Sequence, residues 1–154
     1  MSKISSTFFR MESAHATSLA QDVGNTLNSA PSALRTSREL RKFWEGSLLS
    51  EGWIKSLPVG RSSLSIGYVR GSTGMCIQMG NTCRVYADLL KLETVFRIGD
   101  IEEAVLVVPA DDLSADLGTN YASFSRAEED IKALAPTISM PIVLVEIANY
   151  RRNS

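Results

Sequence analysis

Several groups of side chains in this chain are of types that do chemistry, and their spacing limits what each could do. Cys76 and Cys83 stand seven positions apart, and His15 is the single histidine. Structural zinc sites draw four ligands from closely spaced cysteines and histidines, so this set is not a zinc motif. Cys76 falls in a stretch that reads as a strand and Cys83 opens a helix, which disfavours a disulfide. Two reduced, structural thiols are expected. Asp111, Asp112 and Asp116 crowd one acidic stretch. The glycine and closing glutamate of a calcium loop are missing there, so a solvated loop is expected. Arg35, Arg38, Arg41 and Lys42 cluster along one helix, as either an ordinary solvated face or a set of phosphate contacts. Glu45 and Glu51 lie at the end of the same helix. Asp88 and Glu93 read as solvated helix charges, with Glu93 four residues before Arg97.

The elements that would position these groups follow from the periodicity of apolar residues. Leu19, Val23 and Leu27 fit a helix over about 13–29, and Pro31 breaks it. A second helix is expected over about 32–50, burying Leu34, Leu40, Phe43, Trp44 and Leu48. A short extended piece with Pro58 and Gly60 follows. Residues 62–70 and 75–79 read as an antiparallel hairpin around a Gly71–Gly74 turn, with Leu64, Ile66 and Tyr68 on one face. Thr82 is the expected N-cap of a helix over about 83–97, whose stripe is Val85, Leu89, Leu92 and Phe96. Residues 103–109 and 141–147 are nearly continuous apolar runs, as in strands covered on both faces. Between them lie the acidic loop 110–121 and a helix entered by a capping box, Ser125 with Glu128. Residues 1–12 favour no element, and Arg151 and Arg152 read as a solubilising tail. A hairpin followed by alternating helices and strands predicts a mixed α/β sheet in a three-layer sandwich. The 154 residues, 44% of them hydrophobic, fit a single domain over 1–154, with N-terminal helices over 13–50 and a core over 62–148. No run approaches the ~20 apolar residues needed to span a bilayer, and the charged N-terminus is unlike a signal peptide, so a cytoplasmic protein is expected. With 16 basic and 17 acidic residues the formal net charge is −1. Nucleic-acid-binding domains usually carry a basic excess, so any DNA contact must come from a local face.

The hairpin and the helix after it carry a resemblance. Gly67 and Cys76 are nine residues apart, followed by Gln78, Gly80, Asn81, Arg84 and a helix containing Asp88 and Lys91. This segment resembles the active-site hairpin of the BglII/BstYI-type restriction endonucleases of the PD-(D/E)XK superfamily. The order continues through the strand ending at Pro109, the loop with Asp112, Gly118 and Tyr121, and the last strand, covering about 66–148. The resemblance implies an α/β/α restriction-endonuclease-like core on a mixed four- to five-stranded sheet, a homodimer, and double-stranded DNA as partner. It also implies that the catalytic positions are Gly67, Cys76 and Gln78, where the family has Asp, Glu and Gln. Glycine offers no ligand and sulfur is a soft one, whereas Mg²⁺ demands oxygen. A catalytically degenerate protein with no cofactor is therefore expected. The alternatives are a Mg²⁺-dependent endonuclease using displaced acids such as Glu45 or Glu51, and a protein-interaction module on the same fold. In the family, Asn81 and Arg84 would lie near the major groove, where Asn can bond adenine and Arg guanine. Arg35, Arg38 and Lys42 are the candidate phosphate contacts. Gln78 and Asn81 also read simply as a polar strand-edge residue and a turn residue.

Overall fold

The computed structural model describes residues 4–31, 33, 34 and 36–148. Arg35 and the Arg151–Arg152 tail lie outside the described residues. The elements in chain order are β1 (Ser6–Phe9), α1 (Ser13–Asn28), α2 (Ser37–Ser50), β2 (Ile54–Pro58), β3 (Ser65–Arg70) and β4 (Thr73–Ile77). They continue with α3 (Cys83–Ile98), β5 (Glu103–Pro109), α4 (Asp111–Leu117), α5 (Phe124–Ala133) and β6 (Ile142–Ile147). One six-stranded sheet runs in the order β1-β6-β5-β4-β3-β2. Strands β4, β5 and β6 are parallel, and β1, β3 and β2 join antiparallel.

The continuous apolar runs behave as expected. On β5, Val105 and Val107 pack with α1 and α2, while Ala104, Leu106 and Val108 pack with α3 and α5. Every residue from Ala104 to Pro109 is buried, because helices cover both faces of the sheet. Trp44 and Trp53 anchor the α1/α2 side, and the Trp44 indole N–H donates to the Leu27 carbonyl at 2.9 Å.

The sheet has six strands rather than four or five. The added strands, β1 and β2, are its two edges, short and half exposed, so their alternation is too weak to stand out in sequence. Four further details differ from expectation. Helix α2 starts at Ser37, where Thr36 and Glu39 form a reciprocal capping box. The box expected at Ser125 and Glu128 does not form. Asp111 takes both the Ser125 N–H, at 2.9 Å, and its hydroxyl, and Ser125 lies inside α5. The acidic stretch contains a short helix, α4, rather than loop alone. Thr82 makes no side-chain cap bond; Asn81 Oδ1 instead accepts from the Cys83 N–H at 2.8 Å.

A fifth difference touches the candidate site. Leu64, Ile66 and Tyr68 do not share a face. Ile66 belongs to the core under α3, Tyr68 packs towards α2, and Leu64 is exposed. Residues two apart on a regular strand point the same way, so the pleat is broken between them. The break lies where the β2–β3 ladder skips from Lys55↔Tyr68 to Leu57↔Ile66. Ser56, in the skipped step, has φ +67°, a left-handed conformation uncommon for a side-chain-bearing residue. The skipped partner on β3 is Gly67.

Candidate functional site

Parallel strands β4 and β5 end at the same side of the sheet, and open α/β sheets bind ligands beyond the carboxyl ends of such strands. The polar residues after β4 collect there. The Gln78 N–H extends the ladder by donating to the Val107 carbonyl at 2.8 Å. The side-chain amide then bridges two elements: its Nε2 donates to Asp88 Oδ2 on α3 at 2.8 Å, and its Oε1 accepts from the Gly80 N–H at 2.9 Å. A Cβ on Gly80 would stand 2.9 Å from that same Oε1, so a side chain there would displace the Gln78 amide from this position.

The turn is stitched to the loop after α4. Asn81 and Tyr121 form an isolated antiparallel bridge. The Thr82 N–H donates to the Asn120 carbonyl at 2.7 Å, and the Ala122 N–H to the Gly80 carbonyl at 2.8 Å. Asn120 has φ +63°, a region that asparagine enters more readily than most residues. Together Gly80, Asn81, Arg84, Thr119, Asn120 and Tyr121 line an open cleft of about 440 Å³.

Behind the cleft the electrostatics are unusual for a helix surface. Asp88 is only 8% exposed, not a solvated charge as expected. Burial pushes its carboxyl above the usual carboxylate range, while the Gln78 amide, Lys91 and Arg84 pull the other way. Cys76 is 4% exposed. Burial foremost, then the Asp88 charge, pushes its thiol up to about 12 despite the Gly67 backbone N–H beside it. Cys76 is therefore neutral at ordinary pH. Both cysteines are free thiols, as expected. Glu93 is also buried, at 5% exposure. Its carboxylate pairs with Arg97 Nε at 2.7 Å, and accepts from the Ser139 N–H, the Ser139 hydroxyl and the Met140 N–H at 2.8–2.9 Å. Glu93 is thus a clamp between α3 and the approach to β6.

The structure brings Gly67, Cys76, Gln78, Asn81 and Arg84 to one region and leaves other candidates elsewhere. The last ladder pair of the hairpin is Tyr68↔Met75, and the Gly67 backbone N–H lies beside the Cys76 thiol. Arg38 and Lys42 are exposed on α2, in the layer across the sheet from Arg84. Glu45 pairs with Lys55 at 3.1 Å, and both carboxylate oxygens of Glu51 lie 2.8 Å from the Thr26 hydroxyl. Neither acid is joined to the Gln78–Asp88 pair. Sequence reasoning missed Asp88, Thr119 and Asn120 as site residues. Asp88 looks like an exposed helix charge because it directly precedes the apolar Leu89. Tyr121 and Gly118 entered only as markers of a loop.

A family model described as restriction endonuclease BglII/BglIII matches residues 9–147. The chain belongs to that family. The fold of BglII itself is close. The crystal structure of restriction endonuclease BglII complexed with a DNA 16-mer matches with a TM-score of 0.71 and 15% identity, covering 96% of this chain and 77% of that one. Free BglII matches with a TM-score of 0.63 and 17% identity, covering 95% and 79%. No curated relative matches in sequence. At such identities the likeness to BglII establishes the fold, and the chemistry rests on this chain's own residues. No helix among the described residues is long and apolar enough to cross a membrane.

Members of a Mg²⁺-dependent nuclease family raise the matter of a divalent cation. Mg²⁺ is held through hard oxygen ligands, usually carboxylates, in near-octahedral geometry. The strand ends offer a neutral sulfur, an amide already engaged on both sides, and one buried carboxylate. Among the described residues no group of three or more His, Cys, Asp or Glu side chains could hold a metal ion. The residues present do not fit Mg²⁺.

Proposed function

We propose that this BglII-family chain binds duplex DNA through the cleft beyond β4 and does not cleave it. The observation that carries this reading is the state of the hairpin. Gly67 has no side chain, Cys76 is buried and neutral, and Gln78 is committed to Asp88 and Gly80. Metal-assisted phosphodiester hydrolysis needs a polarised phosphate and an activated water, and no pair of carboxylates is available to hold the ion that supplies both. Asn81 and Arg84 at the rim have the side-chain chemistry of base-edge contacts. Arg38 and Lys42 would reach phosphates only if the duplex extends past the sheet edge, and Arg35 joins them by sequence alone.

The protein acts, in this reading, as a symmetric dimer that sets two hairpins on one duplex. On α3, Leu90 and Ile98 are 61% and 53% exposed, two separate apolar points that a second copy would cover. Light scattering on the purified protein tests the dimer. Anisotropy of a labelled duplex at low salt, with products run on a denaturing gel after Mg²⁺, tests the function. Binding without cleavage is expected. A second reading, a live endonuclease with a displaced acid, is favoured by one observation: the buried Asp88 carboxylate beside Gln78. Cleavage that Asp88→Asn abolishes would establish it. Absence of any DNA affinity would point to the protein-interaction module that the near-zero net charge also suits.

A further inference from the structure

We infer that the cleft beyond β4 takes one unpaired nucleobase of the bound DNA, stacked on the ring of Tyr121. The inference rests on the DNA-binding reading above and deepens it by naming the part of the nucleic acid that the cavity holds.

The cleft has two walls of different origin. The turn after β4 supplies Gly80, Asn81 and Arg84, and the loop after α4 supplies Thr119, Asn120 and Tyr121. Base edges inside a duplex lie in a groove, and side chains that stand out from a protein surface read them there. Such contacts use the turn wall and leave the loop wall unaccounted for. The space of about 440 Å³ falls within the ~300–1,000 Å³ of sites that enclose small molecules. A concavity of that size admits what projects from a nucleic acid, which is either a backbone phosphate or a base turned out of the stack.

The guanidinium of Arg84 suits both, so the loop wall decides. The face of an aromatic ring carries negative charge and is a poor neighbour for a phosphate, whereas every base has a π face that stacks on such a ring. Tyr121 is the aromatic residue in the lining and is 37% exposed. Groups that can read the edge of a base stand around it. Asn81 Oδ1 is taken by the Cys83 N–H, which leaves its Nδ2 as a donor. Thr119 and Asn120, both exposed, add a hydroxyl and an amide.

The ring is held before any ligand arrives. A Cβ on Gly118 would lie 3.1 Å from Tyr121 Cε2 and 3.5 Å from Cδ2, so the ring is braced against the backbone of that residue. The Ser114 hydroxyl donates to the Tyr121 carbonyl at 3.3 Å, and Ala122, next in the chain, is fully buried. With the Asn81–Tyr121 bridge, these contacts fix the wall on both sides of the ring. A platform so held has little freedom left to lose when a base stacks on it.

The test uses the intact protein and three labelled duplexes of one sequence: fully matched, with one central mismatch, and with an abasic site at the same place. A mismatched base is easier to turn out than a paired one, and an abasic site keeps the local flexibility but has nothing to stack. The mismatched duplex should bind about tenfold tighter than the matched one, and the abasic duplex should show no such gain. Tyr121→Leu should remove the gain and Tyr121→Phe should keep it, both with unchanged far-UV circular dichroism. Equal affinity for matched and mismatched duplexes, a gain shared by the abasic duplex, or a gain that survives Tyr121→Leu would each overturn the inference and leave the DNA-binding reading standing. Displacement of the duplex by micromolar deoxynucleoside monophosphate would reassign the cleft to a free nucleotide and overturn it too. Absence of binding to all three duplexes would sink the DNA-binding reading itself, and this inference with it.

Discussion

Asp88 and Glu93 sit five residues apart on α3, both buried, yet burial has opposite outcomes for them. Glu93 is surrounded by donors, and Arg97, Ser139 and Met140 hold its carboxyl below the usual range against the desolvation that would raise it. A group with a depressed native pKa stabilises the fold above its unfolded value, and that contribution is lost as pH falls through the native one. Asp88 is raised by burial with only Gln78, Lys91 and Arg84 to compensate. Its contribution runs the other way: present in acid and lost as pH rises through its native value. Glu93→Ala should therefore cost on the order of 3 kcal/mol at neutral pH, the cost of stranding buried partners. Asp88→Asn should raise the Tm at neutral pH, and the gain should disappear in acid. Thermal melts from pH 3 to 8 on both variants check the two signs together. Neither role was legible in the sequence, where both residues look like ordinary helix charges. Spacing gave the Glu93–Arg97 pair, but the Ser139 and Met140 amides that complete the site come from 46 and 47 positions away. That Gln78, Asn81 and Arg84 lie near one another was legible because they follow the hairpin in fixed register, and register is a local property.

At the scale of elements, β5 and β6 were readable because burial on both faces writes an unbroken apolar run. The edges β1 and β2 were not, since one exposed side and the breaker Pro58 blur their pattern. The two S/T-x-x-E sequences show why motif alone does not decide a cap. Thr36 and Glu39 close on each other, whereas Asp111 competes successfully for Ser125. Thr36→Ala should cost about 1 kcal/mol, and Ser125→Ala should leave the start of α5 in place while loosening its tie to α4. Urea unfolding measures the first, and amide exchange at the α5 N-terminus the second. The pleat break between β2 and β3 gives a sharper forecast. Ser56 holds a left-handed backbone at a cost of about 1–2 kcal/mol. Ser56→Gly should recover roughly 1 kcal/mol, and Ser56→Val should lose more than that, both read from urea midpoints at constant m-value.

For the whole molecule, the sheet separates two apolar cores, one under α1 and α2 and one under α3 and α5. Because β4, β5 and β6 contribute alternate residues to both, neither core can be lost while the other keeps its floor. Unfolding should be a single transition. Both tryptophans lie in the α1/α2 core, so fluorescence reports that side alone, while far-UV circular dichroism reports all helices. Leu48→Ala and Leu89→Ala, one in each core, should each cost about 2–5 kcal/mol and shift both signals equally. A fluorescence midpoint that ignores Leu89→Ala would show the layers to be independent. This coupling was only half visible beforehand, since the layer order follows from the alternation of helices and strands, whereas the length of the sheet depends on edges that leave little trace in composition.

Strand β2 is one of the two sheet borders, and a border strand offers unpaired amides and carbonyls to any extended chain that drifts past. Pro58 removes one of those amides, and the left-handed turn of the backbone at Ser56 interrupts the rest of the row. The irregularity that weakens the fold thereby blunts the surface on which fibrils and crossed-over dimers would grow. The residue that interrupts this border is the one opposite Gly67, and a variant that straightened β2 would gain a template for aggregation as it gained a regular strand.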